Sequence, residues 1–207
     1  MEEELKVVPM SLMVIGEHHI GKSCLISQVL EGGYKESVHS TLVNGVDFDI
    51  KRFLWDRRIV NLTTFEVWNN GYSNKTIDTF CKTRHPPLCF ICYDCKTMKH
   101  FDNVGNCFSL VNKHFTLNQI HLVGLRYDTI EGDIHISPLI GAQKAAELNI
   151  AFHLTSAKTR EGISDIVTLF HRAREDVVDK FDSSTIAKNK ENVIKMKTQA
   201  RNVCMLN

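Results

Sequence analysis

The chain has 207 residues, 43% of them hydrophobic, which is enough to bury the core of one α/β domain and leave a tail. Its 25 Lys and Arg against 24 Asp and Glu leave a net charge of +1, and no basic stripe is interleaved with aromatics, so no nucleic-acid partner is expected. The opening "MEEELKVVPM" has acids where a signal peptide has a basic region, and no apolar run of about 18 residues could span a bilayer; together these predict a cytoplasmic chain with reduced cysteines.

Val7 to Ile15 is an apolar run suited to a strand buried on both faces, and "GKSCLISQVL" beyond it reads as a helix carrying Leu25, Ile26, Val29 and Leu30. "GVDFDIKRF" and "IVNLTTFEVW" alternate around the polar turn "WDRR" and predict a hairpin. "LCFICYD" and "IHLVGL" are two more buried strands. Between them Phe101, Val104, Phe108, Val111 and Phe115 fall at steps of 3, 4, 3 and 4, which predicts one amphipathic helix. "SPLIGAQKAAELN" predicts a helix opened by Pro138, and "IAFHLTS" a last strand. "ISDIVTLFHRAREDVVDKF" predicts a closing helix with Ile163, Ile166, Val167 and Phe170 inward. This alternation implies a mostly parallel sheet with helices on both faces. From about Asp182 the composition turns polar and basic, so residues 1–180 are expected to form the domain and 181–207 a flexible tail.

Cys89, Cys92 and Cys95 in "CFICYDC" have a spacing that suggests zinc, but within a strand Cys89 and Cys95 share one face while Cys92 points to the other. Three thiols so divided do not converge on one metal. They are read as core residues, with a metal set as the alternative.

Gly16-Glu17-His18-His19-Ile20-Gly21-Lys22-Ser23, followed by Cys24, fits G-x-x-x-x-G-K-[ST] between a strand and a helix. The glycines let the backbone curl so that its N–H groups meet phosphate oxygens. Lys22 then neutralises the β/γ-phosphates, and the Ser23 hydroxyl ligates Mg²⁺. His18 and His19 are read as loop residues facing solvent rather than metal ligands.

With that loop in place, the rest of the chain resembles the Ras superfamily of small GTPases, most closely its Rab branch, over about residues 8 to 178. The resemblance rests on Thr41 in "HSTLVNGVDF" at the switch I threonine, on "FEVW" before switch II, on "CYDCKTMKHFDNV" and on "LTSAK". "LVGLRYD" stands where that family has its guanine-reading N-K-x-D. The fold implied is a P-loop small-GTPase domain, with a mostly parallel six-stranded sheet, one antiparallel edge strand and helices on both faces. The ligands implied are GTP or GDP with Mg²⁺ held by Ser23 and Thr41. The resemblance further implies that Asp128 accepts from the guanine N–H and 2-amino groups and that the Ala157 N–H, in the element that includes Ser156, meets O6. Lys158 would pack near the ring, and Tyr34 would close its edge. The segments around Thr41 and Gly71 would be ordered by Mg·GTP and read by effector, exchange-factor and activating proteins.

The sequence departs from that pattern at several positions. Leu125 and Arg126 replace the Asn and Lys of N-K-x-D; loss of the bracing asparagine is expected to cost on the order of 1 to 3 kcal/mol of affinity. Arg126 can lay a flat cation along the base. The switch II D-T-A-G-Q-E becomes "NNGYSN", with neutral Asn69 for the carboxylate that faces the metal from its second shell and Tyr72 or Ser73 where a glutamine orients water. His18 adds bulk to the loop. No residue is therefore assigned a catalytic role, and GTP hydrolysis is expected to be slow. A pseudo-GTPase that binds partners in one fixed state is the alternative, and an ATP-handling P-loop kinase a third reading, which "TSAK" opposes.

Cys204-Met205-Leu206-Asn207 has the C-a-a-X form of a prenylation motif, preceded by Lys188, Lys190, Lys195, Lys197 and Arg201. Terminal asparagine is unusual there, and a chance cysteine is the alternative. If the motif is used, the protein sits peripherally on the cytosolic face of an endomembrane.

Overall fold

In a computed structural model the described backbone comprises residues 6–32, 46–55, 58–67, 74–128 and 136–204, and the described side chains exclude residues 46–49, 53, 55 and 185–204 as well. Six strands form one sheet: β1 (Lys6–Ile15), β2 (Val46–Trp55), β3 (Arg58–Val67), β4 (Leu88–Asp94), β5 (Ile120–Leu125) and β6 (Ala151–Leu154). Their order is β2-β3-β1-β4-β5-β6. Only the edge strand β2 runs antiparallel, paired with β3 as the predicted hairpin; β1–β3, β1–β4, β4–β5 and β5–β6 are parallel. Mostly parallel, with one antiparallel edge, is the sheet expected from the sequence.

Both faces are covered, so the strands read as continuous apolar runs. One core cluster packs Met13, Phe65, Ile91 and Leu122 against Ile77 and Phe80 of α2 (Asn74–Arg84), Val104 and Val111 beyond β4 in the chain, and Ala145 of α5 (Pro138–Leu148). The other packs Leu12, Val14, Leu62 and Phe90 against Leu25 and Ile26 of α1 (Lys22–Glu31), and Ile163, Ile166 and Phe170 of α6 (Ile163–Cys204). Cys89 and Cys95 belong to the first cluster and Cys92 to the second, all three buried, which is the division that strand alternation predicts. Among the described residues no group of three or more His, Cys, Asp and Glu side chains is placed to hold a metal ion.

Three elements differ from the sequence reading. The single helix expected over Phe101 to Phe115 is two, α3 (Met98–Asp102) and α4 (Val104–Val111), and buried Phe115 is reached by a turn in which the His114 N–H donates to the Val111 carbonyl at 2.9 Å. Helix α2 is not foreseen by the apolar pattern, because only Ile77, Phe80 and Cys81 are buried along it, a single turn of stripe. Helix α6 continues past Phe181 to Cys204, where the apolar spacing ends but Ala, Lys, Glu and Met keep helical propensity high. Asp182 is anchored to the domain by an ion pair with Arg58.

Candidate functional site

Strand order reverses around β1, with β3 on one side and β4 on the other, and in open α/β sheets ligands bind beyond the carboxyl ends of the strands at such a point. The loop Gly16–Gly21 leaves β1 there. At Gly16 the backbone passes so close to β4 that a Cβ would lie 2.3 Å from the Cys92 carbonyl oxygen, so only glycine fits; its N–H donates to the Val67 carbonyl at 3.0 Å. Gly21 adopts φ 102°, a conformation that L side chains rarely take, and so turns the chain into α1. The loop's curl thus follows from its two glycines.

Lys22 is 7% exposed, and its ammonium donates to the carbonyls of Gly16 at 3.3 Å and Glu17 at 2.7 Å, folding back over the loop. Burial lowers its pKa, opposed first by the nearby Glu66 carboxylate. The Ser23 hydroxyl donates to Glu66 Oε2 at 2.7 Å. Glu66 lies on β3 beside Val14 of β1, on the face shared with Val60 and Leu62, and that face looks at α1. A hydroxyl whose proton is taken by a carboxylate offers Mg²⁺ one hard oxygen with negative charge close behind it, in keeping with an ion whose octahedron phosphates and waters complete. The residues present therefore fit that ion.

Glu17 turns sideways and accepts a hydrogen bond from Asn103, between α3 and α4. His18 and His19 stack edge to face with centroids 3.5 Å apart; His19 is exposed, and the His18 pKa is lowered by partial burial and by the charges of His19 and Lys22. Ile20 is buried in the same apolar cluster as Leu25 and Leu125. Cys24 is half-buried, its thiol pKa raised by burial and by Glu66.

The segments that follow β5 and β6 meet. Ser156 Oγ donates to Asp128 Oδ1 at 2.7 Å and accepts from the Thr159 N–H at 3.0 Å, so one hydroxyl ties "RYD" to "TSAK". The Tyr127 N–H donates to the Thr155 carbonyl at 3.2 Å, and Ala157 and Lys158 follow at the surface. Leu125 is buried in the apolar cluster that also holds Ile20 of the loop, at the position where the resembled family has a polar asparagine. Arg126 is held by Asp94, its guanidinium donating to Oδ2 at 2.9 Å, while its Cγ lies beside Gly21. Tyr34, Thr41, Asn69, Gly71, Tyr72 and Ser73 lie outside the described residues, and Cys204 closes α6 with its side chain outside them.

The sequence reading missed Glu66, Asp94 and Asn103. A carboxylate inside an apolar strand is the available signal for Glu66, since charged residues are rarely buried without a partner; Asp94 stands at a strand's carboxyl end, where ligands bind. Asn103 carries no such mark.

The Ras family model matches residues 11–179, from within β1 into α6. The Ras-related protein SEC4 of Candida albicans is 31% identical over 159 residues, which cover 76% of this chain and 73% of that protein. The GTP-binding protein ypt2 of Schizosaccharomyces pombe is 30% identical over 183 residues, covering 87% and 88%. The Ras-related protein RABD1 of Arabidopsis thaliana is 30% identical over 148 residues, covering 71% and 70%.

Proposed function

The chain belongs to the Ras family of small GTPases, GTP hydrolases by class and here most similar to Rab proteins, and on that premise we propose that it is a guanine-nucleotide switch in vesicle and protein transport that binds GTP or GDP with Mg²⁺ and hydrolyses GTP slowly. The observation that carries the reading is the Gly16–Ser23 loop, with Lys22 closed over its carbonyls and Ser23 paired to Glu66. Bound Mg²⁺ would neutralise charge on the β- and γ-phosphates. Lys22 exchanges its two carbonyl partners for phosphate oxygens, and the N–H groups of the loop and of α1's first turn hold the remainder.

Guanine is chosen by Asp128, whose carboxylate accepts from the ring N–H and the 2-amino group. Adenine lacks that pair of donors and leaves Asp128 unsatisfied. Ser156 holds the Asp128 carboxylate in place, and Ala157, Lys158, Arg126 and Tyr34 complete the base's surroundings. Thr41 and the Gly71 segment carry the nucleotide state to effector, exchange-factor and activating proteins. Cys204 and the basic residues before it attach the protein to a cytosolic membrane face.

Calorimetry with GTP, GDP and ATP in the presence of Mg²⁺ tests the assignment. The guanine nucleotides bind and ATP binds at least tenfold more weakly, and Lys22→Ala or Ser23→Asn abolishes binding. ATP bound as tightly as GTP would overturn it.

A further inference from the structure

The metal-facing carboxylate that the switch II segment lacks has a replacement within the sheet. Asn69 is neutral, and three residues earlier stands Glu66, 8% exposed, its Oε2 accepting the Ser23 hydroxyl proton at 2.7 Å. A serine whose proton is committed to a carboxylate keeps its lone pairs for a cation and orients them, which is what an outer partner does for a metal ligand. Glu66 is positioned from both sides. Its neighbours on β1 and β3 fix the strand register, Val14↔Glu66 and Ile15↔Val67, one residue short of the phosphate loop, and α1 brings Ser23 onto the same face. The carboxylate also reaches Lys22 electrostatically, raising an ammonium pKa that burial lowers. It thus belongs to the loop's charge set rather than to a remote surface pair.

We propose that Glu66 is a positioning residue for Mg²⁺, orienting the Ser23 hydroxyl and supplying the negative charge that Asn69 does not. The inference rests on the guanine-nucleotide reading above and specifies how that site keeps its metal. Without the ion, a carboxylate beside Lys22 opposes phosphate; with the ion, it favours the ternary complex. Glu66 therefore makes nucleotide retention more dependent on Mg²⁺, an effect that a purely structural glutamate does not produce.

The test is release of a fluorescent GDP analogue from the full chain across free Mg²⁺ from chelated to millimolar, for wild type, Glu66→Gln, Asn69→Asp and the double variant. Glu66→Gln raises the Mg²⁺ concentration that half-suppresses release by about tenfold or more, the usual loss when a ligand's outer partner is removed, while metal-free affinity stays equal or tightens. Asn69→Asp restores the midpoint more in the Glu66→Gln background than in wild type, because the two carboxylates would serve one ion. A wild-type Mg²⁺ midpoint in Glu66→Gln, or metal-free and Mg²⁺-bound affinities falling together, would overturn the proposal while the guanine reading stands. A wild-type chain that takes up no guanine nucleotide at any Mg²⁺ would overturn both.

Discussion

His121 of β5 and His153 of β6 share a hydrogen bond, Nδ1 to Nε2 at 3.1 Å, and His121 is 5% exposed with its ring edge-on to Phe90. Burial first, then the neighbouring His153, lowers the His121 pKa from 6.5 to about 4, against the opposing influence of a backbone contact at Asn118; His153 is lowered by burial, opposed by Asp165. The unfolded chain therefore binds a proton that the folded chain excludes between about pH 4 and 6.5. His121's contribution to stability is complete above pH 6.5 and is lost as pH falls through that window, amounting to about 2 kcal/mol by pH 5. Urea unfolding at pH 7.5 and pH 5 tests this: His121→Asn should lose less stability across the interval than wild type, whereas parallel losses would show that the pair carries no proton linkage.

At the scale of elements, what was readable depended on whether a segment's own periodicity decided its structure. Strands β1, β3, β4 and β5, with α1 and the first half of α6, were legible because each buries an apolar run or stripe, and α5 because Pro138 marks its start. Helix α2 buries three side chains along eleven residues, too few for a period to emerge from the sequence. The break between α3 and α4 was hidden for a different reason. The apolar spacing is continuous across Asn103, but its side chain serves the phosphate loop through Glu17 and accepts from Asn106 at 2.9 Å, contacts that a one-dimensional pattern does not contain. Helix α6 leads from the domain to Cys204, placing the cysteine at the end of an element rather than in a loop. If that cysteine carries a lipid, Cys204→Ser shifts the protein from the membrane to the cytosolic fraction of its native cells. Intact-mass analysis showing an unmodified full-length chain from those cells would contradict the attachment.

Across the whole molecule the candidate site divides in the same way. Asp128 and Ser156, which the structure brings together, were singled out through the resemblance, and the glycines of the Gly16–Ser23 loop were legible because backbone curl dictates them. Glu66 and the Arg126–Asp94 pair were not, because each joins residues far apart in sequence that only the sheet order and register bring together. On the proposed reading, the loop that holds the phosphates belongs to a chain whose switch II sequence lacks the glutamine that aims water. Misplaced water commonly costs a few kcal/mol of barrier, about tenfold in rate for every 1.4 kcal/mol. In the proposed arrangement Glu66 helps retain the ion without aiming the nucleophile, so good Mg²⁺ binding and slow turnover would be compatible. The most direct test is single-turnover hydrolysis of pre-loaded GTP by the isolated protein, beside a small GTPase that has the switch II glutamine. The account predicts that the chain loads GTP and cleaves it at least about tenfold more slowly than the reference; failure to load GTP, or a rate equal to or above the reference, would contradict it.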